Sequence, residues 1–285
     1  MSSARIAAAF AAAALAASTP VLSAQGFEGT VHTRAVTVSR DKLSQMGLTT
    51  PEAVLALSVD SLFAGSHEEV GVVHVTSTYY LAPGKISAQS ASADTTEPSN
   101  YMIMDADAGT MDVVMPLQKV YVEWTADDFK KLQAHQQQPH DTTTTPITVT
   151  ALHRTAVVNG FRCSLYRAES AEHADGSGRE IVVGCLSSEH KDVSQALKKL
   201  LEGMSKLAGA GEGGQSAAAV LAQHGLPIRI QTLSDSSGTI SSDYDVEDIV
   251  AVTPGHVPAE RFTPPAGFTK TSMADLIKQE TGQDH

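Results

Sequence analysis

The chain has 285 residues, of which 42% are hydrophobic and 5% aromatic, and this length allows a hydrophobic core without stabilising metals. Its formal net charge is −12 at pH 7. Nucleic acids and anionic lipid surfaces bind clustered lysine and arginine, so this acidity argues against both as partners.

The first element in chain order is an export signal. Arg5 supplies a positive charge, an uninterrupted apolar run covers residues 6–17, and Ala24 precedes the cleavage point. The run is too short to span a membrane, which needs about 20 apolar residues, and no cysteine follows it that could carry a lipid anchor. We therefore expect residues 1–24 to be a cleavable signal peptide and residues 25–285 to be a single domain in the periplasm, or secreted beyond it.

Predicted strands dominate the next part of the chain. Residues 26–36 alternate like a strand, and Thr50-Pro51 begins a short helix, because threonine is a common N-cap and proline is favoured at the first helical position. The β pattern returns at residues 70–80, turns at Pro83-Gly84 and continues into a return strand. The polar stretch 90–99 is interpreted as a loop.

A better defined hairpin follows. Predicted strands at residues 101–104 and 111–115 flank the turn segment 105–110, and a further strand covers residues 119–124. Residues 125–128 begin a helix, because a capping threonine precedes acids that complement the helix dipole. We expect that helix to end before the next proline.

The two cysteines of the chain, Cys163 and Cys185, are predicted to form a disulfide. An even count in an exported chain favours a bridge. Strand patterns at residues 160–166 and 180–185 flank a turn segment at 173–178, and a hairpin folded there brings the sulfurs together. Such a loop should stabilise the fold by about 3 kcal/mol. A redox pair is the functional alternative, although no C-x-x-C motif is present.

The strands around these cysteines lead to the clearest helix. Strands are predicted at residues 146–154 and 156–169, with a kink at Asn159-Gly160. A helix beginning near Glu189 has apolar residues at spacings of four and three, which gives one apolar stripe formed by Val193, Leu197, Leu200, Met204 and Leu207.

The last part of the chain mixes a short helix, strands and a proline-rich segment. A helix at residues 216–223 precedes strands at 227–232 and 239–252, and the proline-rich segment 262–268 leads to a terminal helix capped by Ser272. Strand hairpins with helices grouped between them predict an α+β fold with one curved antiparallel sheet.

Four of the eight methionines, Met102, Met104, Met111 and Met115, fall within one predicted hairpin. A turn centred at residues 107–108 pairs Met104 with Met111. Met102 and Met115 then lie on the same face, because side chains on one face recur every second residue. Methionine suits surfaces that fit varied apolar shapes. The patch is interpreted as ordinary core, as the wall of an apolar-ligand site or as a thioether copper site.

The eleven histidines give little indication of a metal site. His135 and His140 are five residues apart with Pro139 between them, and His67 and His74 are seven apart with no cysteine near. Zinc ligands usually form tighter pairs. We expect structural or surface histidines and no bound metal.

Motifs of known catalytic or nucleotide sites are missing from the sequence. Residues 203–207 do not form a G-x-S-x-G elbow, and no Walker loop, dinucleotide fingerprint or H-E-x-x-H is present. The acidic run 243–248 lacks the glycine and the terminal glutamate of an EF-hand loop. We expect no enzyme activity and no cofactor.

Short patches with recognisable patterns follow one another along the mature chain: residues 27–29, 80–85, 101–105, 115–116 with Lys119 and Tyr121, 160–166, 225–228 and 262–268. In this order they resemble the DUF4412 family of exported bacterial proteins, which is related in shape to the periplasmic lipoprotein carriers. The resemblance implies a half-barrel, a curved antiparallel sheet wrapped around two or three helices, with an apolar hollow between. The family has no established activity, and the long insertion at residues 37–68 departs from its usual pattern.

Our first hypothesis is a non-enzymatic periplasmic protein that binds an apolar molecule, a lipid or an acyl chain, between the concave sheet and the helix at residues 189–208. The predicted lining consists of Met102, Met104, Met111, Met115, Leu197, Leu200 and Met204. The alternatives are an envelope interaction protein with a filled core and, more weakly, a metal binder using methionine and histidine. The sequence leaves the ligand, the physiological partner and the oligomeric state open.

Overall fold

A computed structural model of the protein describes residues 26–65, 69–92, 99–128, 146–172, 178–207 and 216–272, with residues 200–207 described by their backbone alone. Several predicted features lie outside the described residues: the signal peptide, His67, His135, His140, most of the helix begun at residue 125, the centre of the turn before residue 178, and the terminal helix.

The described strands form a single open, curved sheet. In chain order they are β1 (Gly29–Val38), β2 (Val72–Ala82), β3 (Lys85–Ser92), β4 (Tyr101–Asp105), β5 (Thr110–Met115), β6 (Val120–Thr125), β7 (Ile147–Val158), β8 (Phe161–Ser170), β9 (Arg179–Ser187), β10 (Leu226–Ser236), β11 (Thr239–Ile240), β12 (Tyr244–Pro254) and β13 (Thr269–Thr271). The order across the sheet is β13-β6-β5-β4-β3-β2-β1-β12-β10-β9-β8-β7, with β11 paired to β10. The sheet is therefore mostly a series of hairpins, and the pairing of β1 with β12 joins its two halves.

The helices are short, apart from one. They are α1 (Arg40–Gln45), α2 (Pro51–Leu55), α3 (Val59–Ala64), α4 (Lys191–Leu207) and α5 (Ala217–Leu221), with 3₁₀ turns at Ala222–His224 and Ala259–Phe262. Thr50 caps α2 by accepting a hydrogen bond from the backbone N–H of Ala53, and Pro51 opens the helix, which confirms the predicted start. The prediction missed α1 and α3, which begin with the capping serines Ser39 and Ser58.

The predicted boundary between the strands before and after residue 155 is wrong. Strand β7 continues to Val158, and Asn159-Gly160 is the two-residue turn of the β7–β8 hairpin rather than a kink. Asn159 has φ 50° and Gly160 has φ 87°. Positive φ at both central residues is the requirement of a type I′ turn, and Asn-Gly is the pair that meets it at least cost.

Two further strand predictions need correction. The predicted strand at residues 239–252 is interrupted at 241–243 and divides into β11 and β12. Strand β13 was not predicted, and it pairs in parallel with β6, with Thr269 opposite Val120. Three residues are too few to show a period, so this pairing is decided by tertiary contacts rather than by local pattern.

The helices do not share one side of the sheet, so the predicted wrapping of the sheet around its helices is not confirmed. Val31 and Val36 are both fully buried on β1, and their odd spacing places them on opposite faces. Val31 belongs to a cluster that includes Val193 of α4. Val36 belongs to a second cluster that includes residues of α1, α2 and α3. The chain therefore builds a core on each face of the sheet.

Candidate functional site

One face of strands β3–β6 carries a contiguous apolar patch, and we call it the methionine face. Cross-strand neighbours share a face, so the register assigns its members in three rows. They are Ile86, Met104, Met111 and Trp124 in the first row, Ala88, Met102, Val113 and Val122 in the second, and Met115 with Val120 in the third. Ser90 continues this face of β3 beyond Ala88, so the ten apolar members form a patch and not the whole face. A contiguous apolar patch that is only partly buried is typical of a binding surface.

The register of the β4–β5 hairpin confirms the predicted arrangement of the methionines. Met104 lies opposite Met111, and Met102 lies opposite Val113. Met115 is four residues from Met111 on the same strand and shares its face. The four methionines therefore belong to one surface, as their spacing predicted.

Burial differs along the methionine face. Met104 and Val122 are almost fully buried, at 1% and 3% exposure, whereas Met102, Met111 and Met115 are half-buried. Met104 and its neighbour Ile86 belong to the main hydrophobic cluster. The rest of the face keeps part of its apolar area in contact with solvent.

Helix α4 packs against the same cluster through its N-terminal half. Val193 is 2% exposed, and Ala196 and Leu197 pack against the cluster that contains Met104. Of the predicted lining residues, the structure thus places Leu197 and Met104 in one cluster. Leu200 and Met204 continue the helix, but their side chains lie outside the described part of the chain, and their role as lining stays a prediction.

The predicted disulfide is present. Cys163 on β8 and Cys185 on β9 are bonded, across a sequence separation of 22 residues. Both cysteines are buried in the cluster that contains Val193 and Met104. The bridge therefore cross-links β8 and β9 within the hydrophobic cluster against which α4 packs.

The opposite face of the same strands is mixed in polarity and carries a half-buried carboxyl. Asp112 lies directly opposite Glu123, whose Oε1 accepts a hydrogen bond from Lys270 Nζ at 2.6 Å. Burial, together with the charge of Glu123, raises the pKa of Asp112 to about 6, and this effect outweighs the positive charge of Lys270, which lowers the pKa. Oδ1 of Asp112 is buried and has no hydrogen-bond partner among the described residues.

We predict that Asp112→Asn stabilises the protein above pH 7. An aspartate in an unfolded chain has a pKa near 3.9, so the folded state holds a proton more tightly. The stability due to that proton is complete below about pH 4 and is lost as the pH rises through 6. Because the group is partly exposed, we expect a gain of only about 1 kcal/mol at pH 8, and none at pH 4.

Urea unfolding at both pH values measures this effect. Asp107→Asn is the matched control, because Asp107 is exposed in the turn between β4 and β5. An equal gain from both variants, or a gain that is the same at pH 4 and pH 8, would contradict the assignment.

The structure also has a cluster of charged residues that sequence reasoning missed. Asp248 is fully buried on β12 and accepts two hydrogen bonds from Arg229, from Nε to Oδ1 at 2.6 Å and from Nη2 to Oδ2 at 2.7 Å. Arg34 Nη2 also donates to Oδ2, at 3.0 Å. This is a buried carboxylate held by two guanidinium groups, one of them in the bidentate geometry that gives the strongest pairs.

The polar network extends to the β7–β8 turn and to α3. Asn159 Nδ2 donates to Asp248 Oδ2 at 3.2 Å and to the carbonyl oxygen of Ile249 at 2.8 Å. Arg229 Nη2 also donates to Asp60 Oδ1 at 2.8 Å. The guanidinium carbon of Arg34 lies 4.0 Å from the centre of the Phe63 ring, within the range of a cation–π contact.

A cavity of about 320 Å³ lies beside this network, and Arg34, Asp60, Phe63, Asn159 and Arg229 contribute to its walls. A second cavity, of about 270 Å³, lies near Arg179 and Asp235. Neither has a predicted lining residue in its walls. The cavities described here are therefore separate from the methionine face.

Within the described ranges, no three side chains of His, Cys, Asp or Glu come close enough together to hold a metal ion. In the same part of the chain, no helix has the length and apolar character needed to cross a membrane.

The chain belongs to the DUF4412 family. Residues 69–268 match the family described as "Domain of unknown function (DUF4412)", which confirms the resemblance found in the sequence. The match begins just before β2, so β1 and helices α1–α3 lie outside it. Arg34, Asp60 and Phe63 are therefore contributed by the unmatched N-terminal part.

No curated protein matches the chain. A solved structure from Vibrio parahaemolyticus, titled a "putative outer membrane lipoprotein-sorting protein domain", is similar over 82% of this chain and 89% of that chain, with 5% identity and a TM-score of 0.29. A TM-score this low does not establish a common fold.

Proposed function

We propose that the protein is a non-enzymatic, exported protein that binds an apolar molecule, a lipid or an acyl chain, on the methionine face. The single observation that carries the proposal is the register of β3–β6, which assembles ten apolar side chains on one face and leaves three of the methionines half-buried. Unbranched, polarisable methionine side chains adapt to ligands of varied shape.

The dimensions of the face suit a chain-like ligand. Four strands at a spacing of about 4.8 Å span about 14 Å between the outer strands. Covering about 200 Å² of apolar surface in this way would contribute about 5 kcal/mol. An acyl chain laid across the strands would meet a row that includes Met104 and Met111 or the row that includes Met102.

Burial along the methionine face indicates where a ligand would lie. Its β2 side continues into the packed cluster beneath α4, where Met104, Ile86 and Val193 are each at most 2% exposed. A ligand would therefore lie over the half-buried methionines rather than under the N-terminal half of α4. We propose that Leu200 and Met204, further along α4, complete the lining.

The disulfide supports the proposed location. Bridges persist in oxidising compartments, which include the bacterial periplasm, and Cys163 and Cys185 are bonded. We propose that residues 1–24 are removed on export and that residues 25–285 act in the periplasm as a single domain.

The experiment that tests this function is purification of the exported protein without detergent, followed by lipid mass spectrometry and titration with a fluorescent fatty acid. We expect Met111→Gln to weaken binding of the fatty acid about tenfold, because an amide would be buried against the ligand without a partner. Met46→Gln is the matched control, because Met46 is 48% exposed at the end of α1 and belongs to the other side of the sheet.

One observation favours a second candidate, an envelope interaction protein with a filled core. Met104 and Val122 are packed to 3% exposure or less, and the cavities described above lie elsewhere. Absence of both co-purified lipid and fatty-acid binding would favour this candidate and overturn the carrier proposal. If Met111→Gln and Met46→Gln had equal effects on fatty-acid binding, the methionine face would not be the binding site.

A further inference from the structure

The cavity of about 320 Å³ beside Asp248 combines cationic and apolar walls. Arg34 and Arg229 supply guanidinium groups, and Phe63, Ala64 and Val157 supply apolar surface. Val157 is 69% exposed, so the cavity opens to solvent at that side. The site is distinct from the methionine face and does not depend on the function proposed for it.

Two carboxylates, one buried and one exposed, balance the positive charges of the cavity. Arg34 and Arg229 carry two positive charges, and the buried Asp248 compensates one of them. Asp60 compensates the other through Arg229, at 2.8 Å. Without Asp60 the site would have a net charge of +1, which a single carboxylate would neutralise and a doubly charged phosphate would exceed.

The two carboxylates differ in how firmly they are held. Asp248 is fully buried and makes bidentate bonds to Arg229, whereas the Asp60 side chain is 80% exposed and bonds to one Arg229 nitrogen. Its hydrogen bond from Arg229 holds the pKa of Asp60 below its usual range, so it is ionised at neutral pH. An exposed ion pair of this kind adds little stability and exchanges readily with water.

One donor atom beside the cavity also lacks a partner. The buried Nε of Arg34 has no hydrogen-bond partner among the described residues. A guanidinium group has five N–H donors, and planar carboxylates are the ligands it fits best. Phe63 stacks on Arg34 and extends the wall with an apolar ring.

From these observations we propose that the cavity binds a small monocarboxylate with an apolar body, whose carboxylate takes the place of Asp60 on Arg229 and whose body lies against Phe63 and Val157. Asp60 is then an internal competitor that occupies the site when the ligand is absent. Benzoate has the charge, planarity and size of such a ligand and is the probe we choose.

The test compares benzoate with benzamide, its neutral isostere, in binding to the full chain by ligand-detected NMR titration. We expect benzoate to bind the wild-type protein and Asp60→Ala to bind it about three- to fivefold more tightly, the gain expected from removing an exposed ion pair that competes. Asp41→Ala is the matched control, because Asp41 is an exposed acid in the first turn of α1. It should leave the affinity unchanged.

Two further measurements show that benzoate binds in this cavity and that the result does not depend on a variant that fails to fold. In the wild-type protein, benzoate should shift the side-chain amide signal of Asn159, which lines the cavity, and benzamide should not. Met111→Gln, on the methionine face, should bind benzoate normally. The proposal is overturned if benzoate does not bind, if benzamide or inorganic phosphate binds as well, or if Asp60→Ala and Asp41→Ala have equal affinities.

Discussion

Replacing Arg229 by methionine is expected to lower the free energy of unfolding by about 3–5 kcal/mol, the range seen when one partner of a buried ion pair is removed. Asp248 is fully buried and receives its two shortest hydrogen bonds from Arg229. Without them, the side-chain contacts left to the carboxylate among the described residues are those from Arg34 and Asn159, at 3.0 and 3.2 Å. Urea unfolding at pH 7, followed through the fluorescence of the single tryptophan, measures the loss.

The double variant Arg229→Met/Asp248→Leu shows whether stability is lost because the ion pair is gone or because Asp248 is left buried without a partner. It should recover most of the lost stability, because no buried carboxylate remains and Arg34, at 31% side-chain exposure, can reach water. Lys270→Met, which breaks the exposed pair with Glu123, should leave the unfolding midpoint nearly unchanged. If Arg229→Met behaved like Lys270→Met, the hydrogen bonds from Arg229 would not be what stabilises the buried Asp248.

Loss of the disulfide is the second large effect that we expect. The variant Cys163→Ala/Cys185→Ala should lose about 3 kcal/mol, because the bridge restricts the unfolded chain across a separation of 22 residues. Both sulfurs are also buried in the main cluster, so the alanine variant adds the cost of a small cavity.

Reduction of the wild-type protein distinguishes these contributions. Adding reductant should lower the urea midpoint of the wild-type chain and leave the alanine variant unchanged. The chain-restriction explanation fails if reduction, verified by thiol titration, does not move the midpoint. It also fails if the alanine variant still responds to reductant.

The β4–β5 hairpin shows which features local sequence can predict. Strand residues alternate between faces, and a short turn fixes the register, so the spacing of Met104 and Met111 was enough to pair them correctly. The disulfide could be predicted for the same reason, because Cys163 and Cys185 lie on neighbouring strands of one hairpin. The N-cap of α2 was equally local.

The Asn159-Gly160 turn shows how a local signal can be misassigned. The pair is typical of a type I′ hairpin, but the apolar and polar pattern of β7 is interrupted near His153, where φ is 51° and the pairing register shifts. The irregularity inside the strand therefore resembles a strand end in the sequence, and the true turn resembles a kink. Pattern alone does not distinguish a bulge from a strand boundary.

The charged cluster had no sequence signal that could have found it. Arg34, Asp60, Asn159, Arg229 and Asp248 occur on different elements, and the Arg34–Asp248 contact joins residues 214 positions apart. Each residue alone is compatible with an exposed position. Only the pairing of β1 and β10 with β12 brings the two arginines to one buried carboxylate.

The sequence by itself determined the β4–β5 hairpin, the disulfide, the N-cap of α2, the apolar character of the methionine face and membership of the family, because each depends on residues near in the chain or on short ordered patterns. The tertiary structure decided the strand order, the parallel pairing of β13, the placement of helices on both faces and the buried Asp248 network. These depend on contacts between distant segments, whose free energy appears only when the chain has closed the intervening loops.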